Sequence, residues 1–327
     1  MVGVELDQKL RLSLVRKDQK ALKGNEVLVK VSACGICGTD NHIIKGEARV
    51  SPPVVLGHEF GGIVIDTGES VASVRPGGLV AIDPNISCYA CEHCRDGNTH
   101  LCEKLTAIGI DIDGGMSDRC VVPASQVYTV PEGFDPAFLP FVEPLSCVLH
   151  GLDRVSVRHG ERVLIIGSGT IGLMQLLMLR DFAGEILVDE VNPSRLEKAV
   201  SLGAGKAGTG REDYFDAVIE CSGTITGFNK AISCVRPGGR ILIFGVTPIE
   251  DRAQINPNVI YRKELSIMGS YVNPNTFKRA IAVIAGGKIP LSSLEVKYFK
   301  LEDFSEAFEA SRSGDYSKVA FRAEGAI

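Results

Sequence analysis

The apolar positions of this chain change their pattern near its middle. Up to about residue 130 they come in short alternating runs. Lys9-Leu10-Arg11-Leu12-Ser13-Leu14-Val15 and Glu26-Val27-Leu28-Val29-Lys30-Val31 repeat with period two, as strands with one face on a core do. Val54-Val55-Leu56, Gly61-Gly62-Ile63-Val64-Ile65 and Gly77-Gly78-Leu79-Val80-Ala81-Ile82-Asp83 continue the pattern, broken by Pro and Gly. This predicts a small β-rich domain, barrel-like or partly open. From about residue 148 the texture differs. Val163-Leu164-Ile165-Ile166 is apolar without interruption, as a parallel strand covered on both faces should be. A helical stretch, 173–179, follows, and 186–188, 216–220, 240–244 and 264–268 read as further strands of an α/β unit. The Gly/Ala-rich segment 203–210 reads poorly as the edge strand expected there. Beyond Asn273, helices are predicted at 276–285 and 301–311 and a closing strand near 318–321, a tail assigned partly back to the first domain.

Length and charge narrow the function classes. A chain of 327 residues suggests two domains on the usual prior of about 150 residues each. With 45% hydrophobic and 23% charged residues it is expected to be soluble with an ample core. A net charge of −5 argues against a nucleic-acid partner. Residues 163–179 are interrupted by Gly167, Ser168, Gly169, Thr170, Gly172 and Gln175, so a buried strand and helix explain them better than a membrane span. Met1-Val2-Gly3-Val4-Glu5-Leu6-Asp7 lacks the basic flank and apolar run of a signal peptide. Four of the ten cysteines lie within fifteen residues at metal-site spacing, which points to a reducing cytoplasm rather than to disulfides.

Three motifs carry candidate chemistry. In Cys34-Gly35-Ile36-Cys37-Gly38-Thr39-Asp40-Asn41-His42 a thiol, a hydroxyl, a carboxylate and an imidazole fall within six residues, and the glycines permit a tight turn. Gly57-His58-Glu59 and Glu143-Pro144-Leu145 add an imidazole and carboxylates. Sulfur, nitrogen and oxygen donors of this kind suit Zn²⁺ in an open, catalytic site, with Cys37 and His58 the leading ligands and Glu59 and Glu143 both offered to the metal. Cys88, Cys91, Cys94 and Cys102 have the spacing of a closed tetrahedral zinc site, a structural staple that by itself says little about chemistry. Gly167-Ser168-Gly169-Thr170-Ile171-Gly172 stands between a buried strand and a helix, the context in which GxGxxG becomes a dinucleotide fingerprint. Glu190, at the end of the second strand, is placed to accept from a ribose diol. That favours NAD over NADP, with Arg195 five residues on as the complicating cation.

Taken together, GICGTDNH at 35–42, GHEF at 57–60, the four-cysteine lobe, EPLS at 143–146, GSGTIG at 167–172 and RPGGRILIFG at 236–245 resemble the zinc-dependent medium-chain dehydrogenases, the alcohol, polyol and threonine dehydrogenase group. The likeness covers nearly the whole chain. It implies a GroES-like catalytic domain (1–147 and 274–327) split around an inserted Rossmann NAD-binding domain (148–273), and alcohol–carbonyl interconversion at the cleft between them. It also implies two zincs per chain and NAD, with Gly167, Gly169, Thr170, Ile171, Gly172, Glu190, Arg195, Cys221, Gly245, Val246, Gly269 and Ser270 binding the cofactor. Thr39 would hydrogen-bond the alcohol, His42 would receive its proton through the nicotinamide ribose, and Asp40 would orient His58. A homo-dimer or homo-tetramer built through the nucleotide domain is expected, with segment 290–299 as a strand able to pair across it. The glutamate of EPLS places the chain nearer the polyol enzymes. Two departures stand out: Gly78-Leu79 replaces a usual Asp-Arg pair, and Ser270-Tyr271 replaces the Arg-Tyr of sorbitol dehydrogenases, which argues against sorbitol as substrate. The rival reading is a zinc- and nucleotide-binding protein of this fold without dehydrogenase turnover; the zinc-free quinone reductase branch lacks the four-cysteine lobe and is set aside.

Overall fold

The computed structural model describes residues 1–19 and 21–322; residues 323–327 of the expected catalytic domain lie outside the described residues. The chain forms two compact units, Met1–Ser146 with Val272–Ile327, and Cys147–Tyr271.

In the first unit the strands are β1 (Val2–Leu6), β2 (Leu12–Arg16), β3 (Glu26–Ile36), β4 (Val54–Val55), β5 (Glu59–Thr67), β6 (Leu79–Ile82), β7 (Asn85–Ile86), β8 (Thr106–Ala107), β9 (Arg119–Pro123) and β10 (Val127–Thr129). Helices α1 (Gly38–Ile44) and α2 (Glu92–Arg95) punctuate them, and α3 (Val142–Val155) starts in this unit and continues as the first element of the second. Alternation within β3 predicted one solvated face, but only Lys30 of its eleven residues is exposed. The reason is topological. Strand β5 pairs along one edge of β3, while β9 and the closing strand of the chain share the other. Its side chains enter a core with Phe60, Met116, Phe308 and Phe321. Conversely β2, also apolar in sequence, is largely exposed because it ends a three-stranded sheet.

The second unit contains β11 (Arg162–Ile166), α4 (Thr170–Leu179), β12 (Glu185–Asp189), α5 (Pro193–Ser201), β13 (Gly205–Lys206), β14 (Phe215–Glu220), α6 (Ile225–Cys234), β15 (Val235–Ile243), α7 (Pro257–Lys263) and β16 (Ser266–Gly269). The six strands are parallel in the order β13-β12-β11-β14-β15-β16, the doubly wound arrangement whose ligands bind beyond the carboxyl ends of the strands. The Gly/Ala-rich segment yields only the two-residue β13, since glycine offers a strand neither stiffness nor packing.

The tail returns to the first unit with α8 (Phe277–Ala285), β17 (Val296–Phe299), α9 (Phe304–Ser313) and β18 (Lys318–Arg322). Residues 301–303, expected to open the α-helix, form a 3₁₀ turn instead. Strand β17 pairs with β18, so the segment expected to pair across a nucleotide-domain interface belongs to the other unit. Because β18 and β5 both run antiparallel to β3, the end of β3 and the beginnings of β5 and β18 lie together.

In the nucleotide unit Asp216 of β14 ties its two neighbouring strands. It accepts from Arg162 of β11 at 2.8 Å (N–H) and 3.2 Å (Nε), and from Arg236 of β15 at 2.5 Å. Burial works against the charge, but the Arg162 N–H and the Arg236 guanidinium hold the carboxyl down to about 2. A depressed folded-state pKa stabilises the fold above the unfolded value of 3.8 and is lost as pH falls towards 2. Asp216→Asn should therefore lower the unfolding temperature at pH 7, and the gap to the parent, followed by circular dichroism, should narrow between about pH 4 and pH 2.

Candidate active site

Helix α1 begins where β3 ends. Cys37 is its N-cap, with extended φ −96° and ψ 157°, and the Cys37 N–H donates to Asp40 Oδ2 at 2.8 Å, satisfying a donor that a helix start otherwise leaves unpaired. Helical spacing then sorts the side chains. Asp40 and Ile43 are buried, whereas Thr39 and His42, also three apart and so on one face, are half-buried. Asp40 is wholly inaccessible, and its Oδ1 lies 3.6 Å from His58 Nδ1. That is longer than a hydrogen bond, and neither atom has another partner. Burial alone would push His58 down, but Asp40 and the Cys37 sulfur outweigh it and hold the imidazole well above its ordinary 6.5. The field that retains a proton on His58 is one that favours any cation at this point.

Glu59 opens β5 opposite Gly35 of β3. A Cβ at Gly35 would lie 2.4 Å from Glu59 Oε2 and 2.6 Å from Lys318 Cε, so the glycine leaves the space in which a carboxylate from one neighbouring strand and an ammonium from the other meet. Lys318 Nζ contacts Glu59 Oε2 directly, and both residues are buried, at 3% and 1% exposure. Burial pulls Lys318 down, but Glu59 and Cys37 more than compensate and raise it. Donor atoms of Cys37, His58 and Glu59 lie within 4.8 Å of one another. Glu143, buried near the start of α3, stands outside that group, although its charge acts on both His58 and Lys318. Sulfur, imidazole and carboxylate converging on one point, with Asp40 behind the imidazole, fit Zn²⁺.

The four cysteines of the lobe also converge within 4.8 Å. Cys88 Sγ accepts the N–H groups of Ala90 and Cys91 at 3.4 and 3.3 Å, which draw its thiol down to about 6. Cys102 Sγ accepts from Cys88 and Lys104 at 3.2 and 3.3 Å. Cys94 is pushed up to about 12 by burial and by the Cys91 and Cys102 sulfurs. All ten cysteines are free of disulfides, and Cys88 and Cys94 sulfurs sit 4.0 Å apart, close to the sulfur separation expected around one tetrahedral zinc and twice a disulfide bond.

In the second unit Gly167 turns with φ 90° out of β11. A Cβ at Gly172 would lie 2.0 Å from the Gly167 carbonyl, while one at Gly169 would meet nothing within 4 Å. Gly167 and Gly172 thus let helix and strand close up; Gly169 leaves open space at the helix start, a cradle that fits a pyrophosphate. Glu190 Oε2 accepts from Ser168 N–H and Oγ at 2.8 and 3.2 Å, and Oε1 from Asn192 N–H at 2.9 Å. Two carboxylate oxygens take about four donors, so acceptor capacity remains. Asp189 is turned aside to Lys230 at 2.5 Å. Arg195 is half-buried in the first turn of α5, its N–H capped by Asn192.

Cys221, Gly245, Val246, Gly269 and Ser270 follow or end β14, β15 and β16, at the same edge of the sheet. Sequence reading missed their organiser, Glu220. Its buried side chain accepts from the N–H groups of Ser222 and Gly223 at 2.8 and 3.1 Å, and its carbonyl from those of Phe244 and Gly245 at 2.9 and 2.8 Å. The signal available was a carboxylate ending an otherwise apolar strand. Lys318 was missed as well. At the start of the alternating Lys-Val-Ala-Phe it carries no local mark of burial.

Two family models match the chain: the alcohol dehydrogenase GroES-like domain at residues 23–132 and the zinc-binding dehydrogenase at residues 170–286. D-arabinitol dehydrogenase 1 of Uromyces fabae is 30% identical over 98% of this chain and 97% of its own length. A zinc-binding dehydrogenase from Sinorhizobium meliloti 1021, solved bound to NADP, has a TM-score of 0.94 and 33% identity, covering 98% of this chain and 99% of that one. An alcohol dehydrogenase from Escherichia coli CFT073, solved with NADH, has a TM-score of 0.91 and 27% identity over 99% of both chains. The chain belongs to the zinc-dependent medium-chain alcohol and polyol dehydrogenases.

Proposed function

We propose that this protein oxidises a secondary alcohol, of the polyol or sugar-alcohol class, with NAD. The observation that carries the reading is the convergence of Cys37, His58 and Glu59, with Asp40 behind His58. When bound there, zinc supplies the Lewis acidity that lets an alcohol lose its proton near neutral pH, and NAD accepts the hydride. The remaining work falls to the chain itself. Asp40 holds His58 in one orientation from behind. Lys318 occupies Glu59 Oε2, so Glu59 can offer the metal its other oxygen while Glu143 stands nearby for water or substrate. The Thr39 hydroxyl binds the alcohol, and His42 takes up the proton it releases. Likeness to a D-arabinitol dehydrogenase supports the polyol class.

Free thiols, and no helix among the described residues long and apolar enough to cross a membrane, are consistent with a cytoplasmic enzyme. A homo-dimer or homo-tetramer is supported by β16, the edge of the nucleotide sheet, whose outer side is available to a second copy. Sedimentation at micromolar concentration as a single chain would refute it.

Turnover is tested by absorbance at 340 nm with zinc-loaded protein, NAD and a panel of pentitols, hexitols, inositols and aldonates. Silence across the panel would favour a binding protein without turnover. Elemental analysis should find about two zincs per chain, the number the two clusters would hold. Cys37→Ser should lose one together with all activity, and Cys91→Ser the other together with thermal stability. A stable, fully loaded Cys91→Ser protein would contradict the structural role of that lobe.

Cofactor choice is tested at Glu190. A carboxylate facing the adenine ribose accepts from both hydroxyls of NAD and repels the 2′-phosphate of NADP. The preference in kcat/KM should be roughly 30- to 150-fold, about 2–3 kcal/mol. Glu190→Ala should erode it, while Asp189→Ala, whose side chain is held by Lys230, should leave it largely intact. Equal use of NADP by the parent enzyme would show that Arg195 outweighs the carboxylate.

A further inference from the structure

Helix α1 is short, and the way it stops places a carboxylate against the imidazole assigned to the proton. Lys45 is the C-cap and Gly46 follows with φ 76°, a left-handed conformation that glycine adopts without strain. The Gly46 N–H donates to the Ile43 carbonyl and the Glu47 N–H to the His42 carbonyl, both at 2.9 Å. This pair of bonds is a Schellman motif, which brings the second residue past the cap onto the third residue before it. That contact is usually apolar. In α1 the two positions are Glu47 and His42, and Glu47 Oε2 lies 2.7 Å from His42 Nδ1.

The chemistry of the pair follows from what each atom can do. An ionised carboxylate only accepts, so the proton between them belongs to Nδ1. In the neutral ring Nε2 then carries the bare lone pair. The side chains are 29% and 34% exposed, so the pair sits at the solvent boundary, where a proton can be handed on. Around α1, Asn41 bonds Ser311 of α9 at 3.1 Å and approaches Arg312 Nη1 at 3.5 Å. Lys45 is the cap of α1, and Arg312 of α9 turns to Asn41 rather than to the imidazole.

We propose that Glu47 is a positioning residue of the proton relay: by holding Nδ1–H it keeps His42 in the tautomer whose Nε2 accepts the proton leaving the alcohol. The inference rests on the reading of His42 as relay. The proton bonds to the Nε2 lone pair, the imidazolium is stabilised by the Glu47 carboxylate, and the same proton leaves from Nε2 to solvent. Nδ1–H stays in place, so the ring returns to its starting tautomer without turning.

Two substitutions at one position separate positioning from simple helix capping. Glu47→Leu supplies the apolar contact typical of the motif but no acceptor; Glu47→Gln keeps an acceptor oxygen without the charge. The ring nitrogens of His42, one of six histidines, are read by ¹⁵N NMR on the full zinc-loaded chain and assigned with His42→Gln. The parent should show Nδ1 protonated in its neutral form. Glu47→Leu should show a mixture of tautomers and a kcat lower by roughly 10-fold or more, with zinc content, KM for NAD and melting temperature close to the parent. Glu47→Gln should recover the Nδ1–H tautomer and most of the lost rate. An unchanged tautomer in Glu47→Leu, or an Nε2–H tautomer in the parent, overturns the inference about Glu47. A lost tautomer with an undiminished kcat overturns instead the assignment of His42 to the relay, and with it the purpose of the pair.

Discussion

The active region is governed by the cost of burying charge. Asp40, His58, Glu59, Glu143 and Lys318 are each no more than 8% exposed, and an isolated buried charge is strongly disfavoured. Three carboxylates and the Cys37 sulfur face one lysine and one imidazole. The balance is negative, and a divalent cation at the point where Cys37, His58 and Glu59 converge relieves it. The small surface-level pairings elsewhere in the unit, such as Arg11 with Asp7, carry no comparable demand.

Strand topology is what gathers these groups. Strand β3 delivers Cys37 at its end, while β5 and β18, both antiparallel to it, begin beside that end and bring Glu59 and Lys318. Gly35 makes the meeting possible by having no side chain of its own. Helix α1 then divides its short length between two tasks. Asp40 turns inward to His58, and Thr39 and His42 stay towards solvent. In the nucleotide unit carboxylates play a comparable part at the strand ends. Glu190 fastens the glycine-rich loop to β12, and Glu220 fastens the loops after β14 and β15 to each other. The glycine-rich loop and the loop after β14 meet carboxylates, and the loop after β15 meets the Glu220 carbonyl, because their N–H groups need acceptors.

Much of this was legible from the residues because it is local. The four cysteines of the lobe have ligand chemistry and spacing that specify one tetrahedral site, whatever surrounds it. The glycine-rich loop announces itself between an apolar strand and a helix, and the change from alternating to continuous apolar runs marks the passage from a β-rich unit to a parallel sheet. Where local composition was weak, as at residues 203–210, the strand itself is weak, with only two residues paired.

What the residues did not determine are the contacts set by strand pairing over long separations. Alternation in β3 implied a solvated face, yet its partners bury it, because periodicity records side-chain character and not how many neighbours a strand acquires. Segment 290–299 reads as one strand, but only Val296–Phe299 forms it, after a 3₁₀ turn at Leu291–Ser293, and only the pairing with β18 decided which unit it joins. Lys318 meets Glu59 across 259 positions of sequence, and Glu143 lies outside the three converging donors although its type is right for the metal. The sequence by itself settled which chemical groups are present and where the longer strands run. Tertiary structure alone decided which of those groups share a buried volume, since that depends on register, and register is a property of two strands rather than of either one.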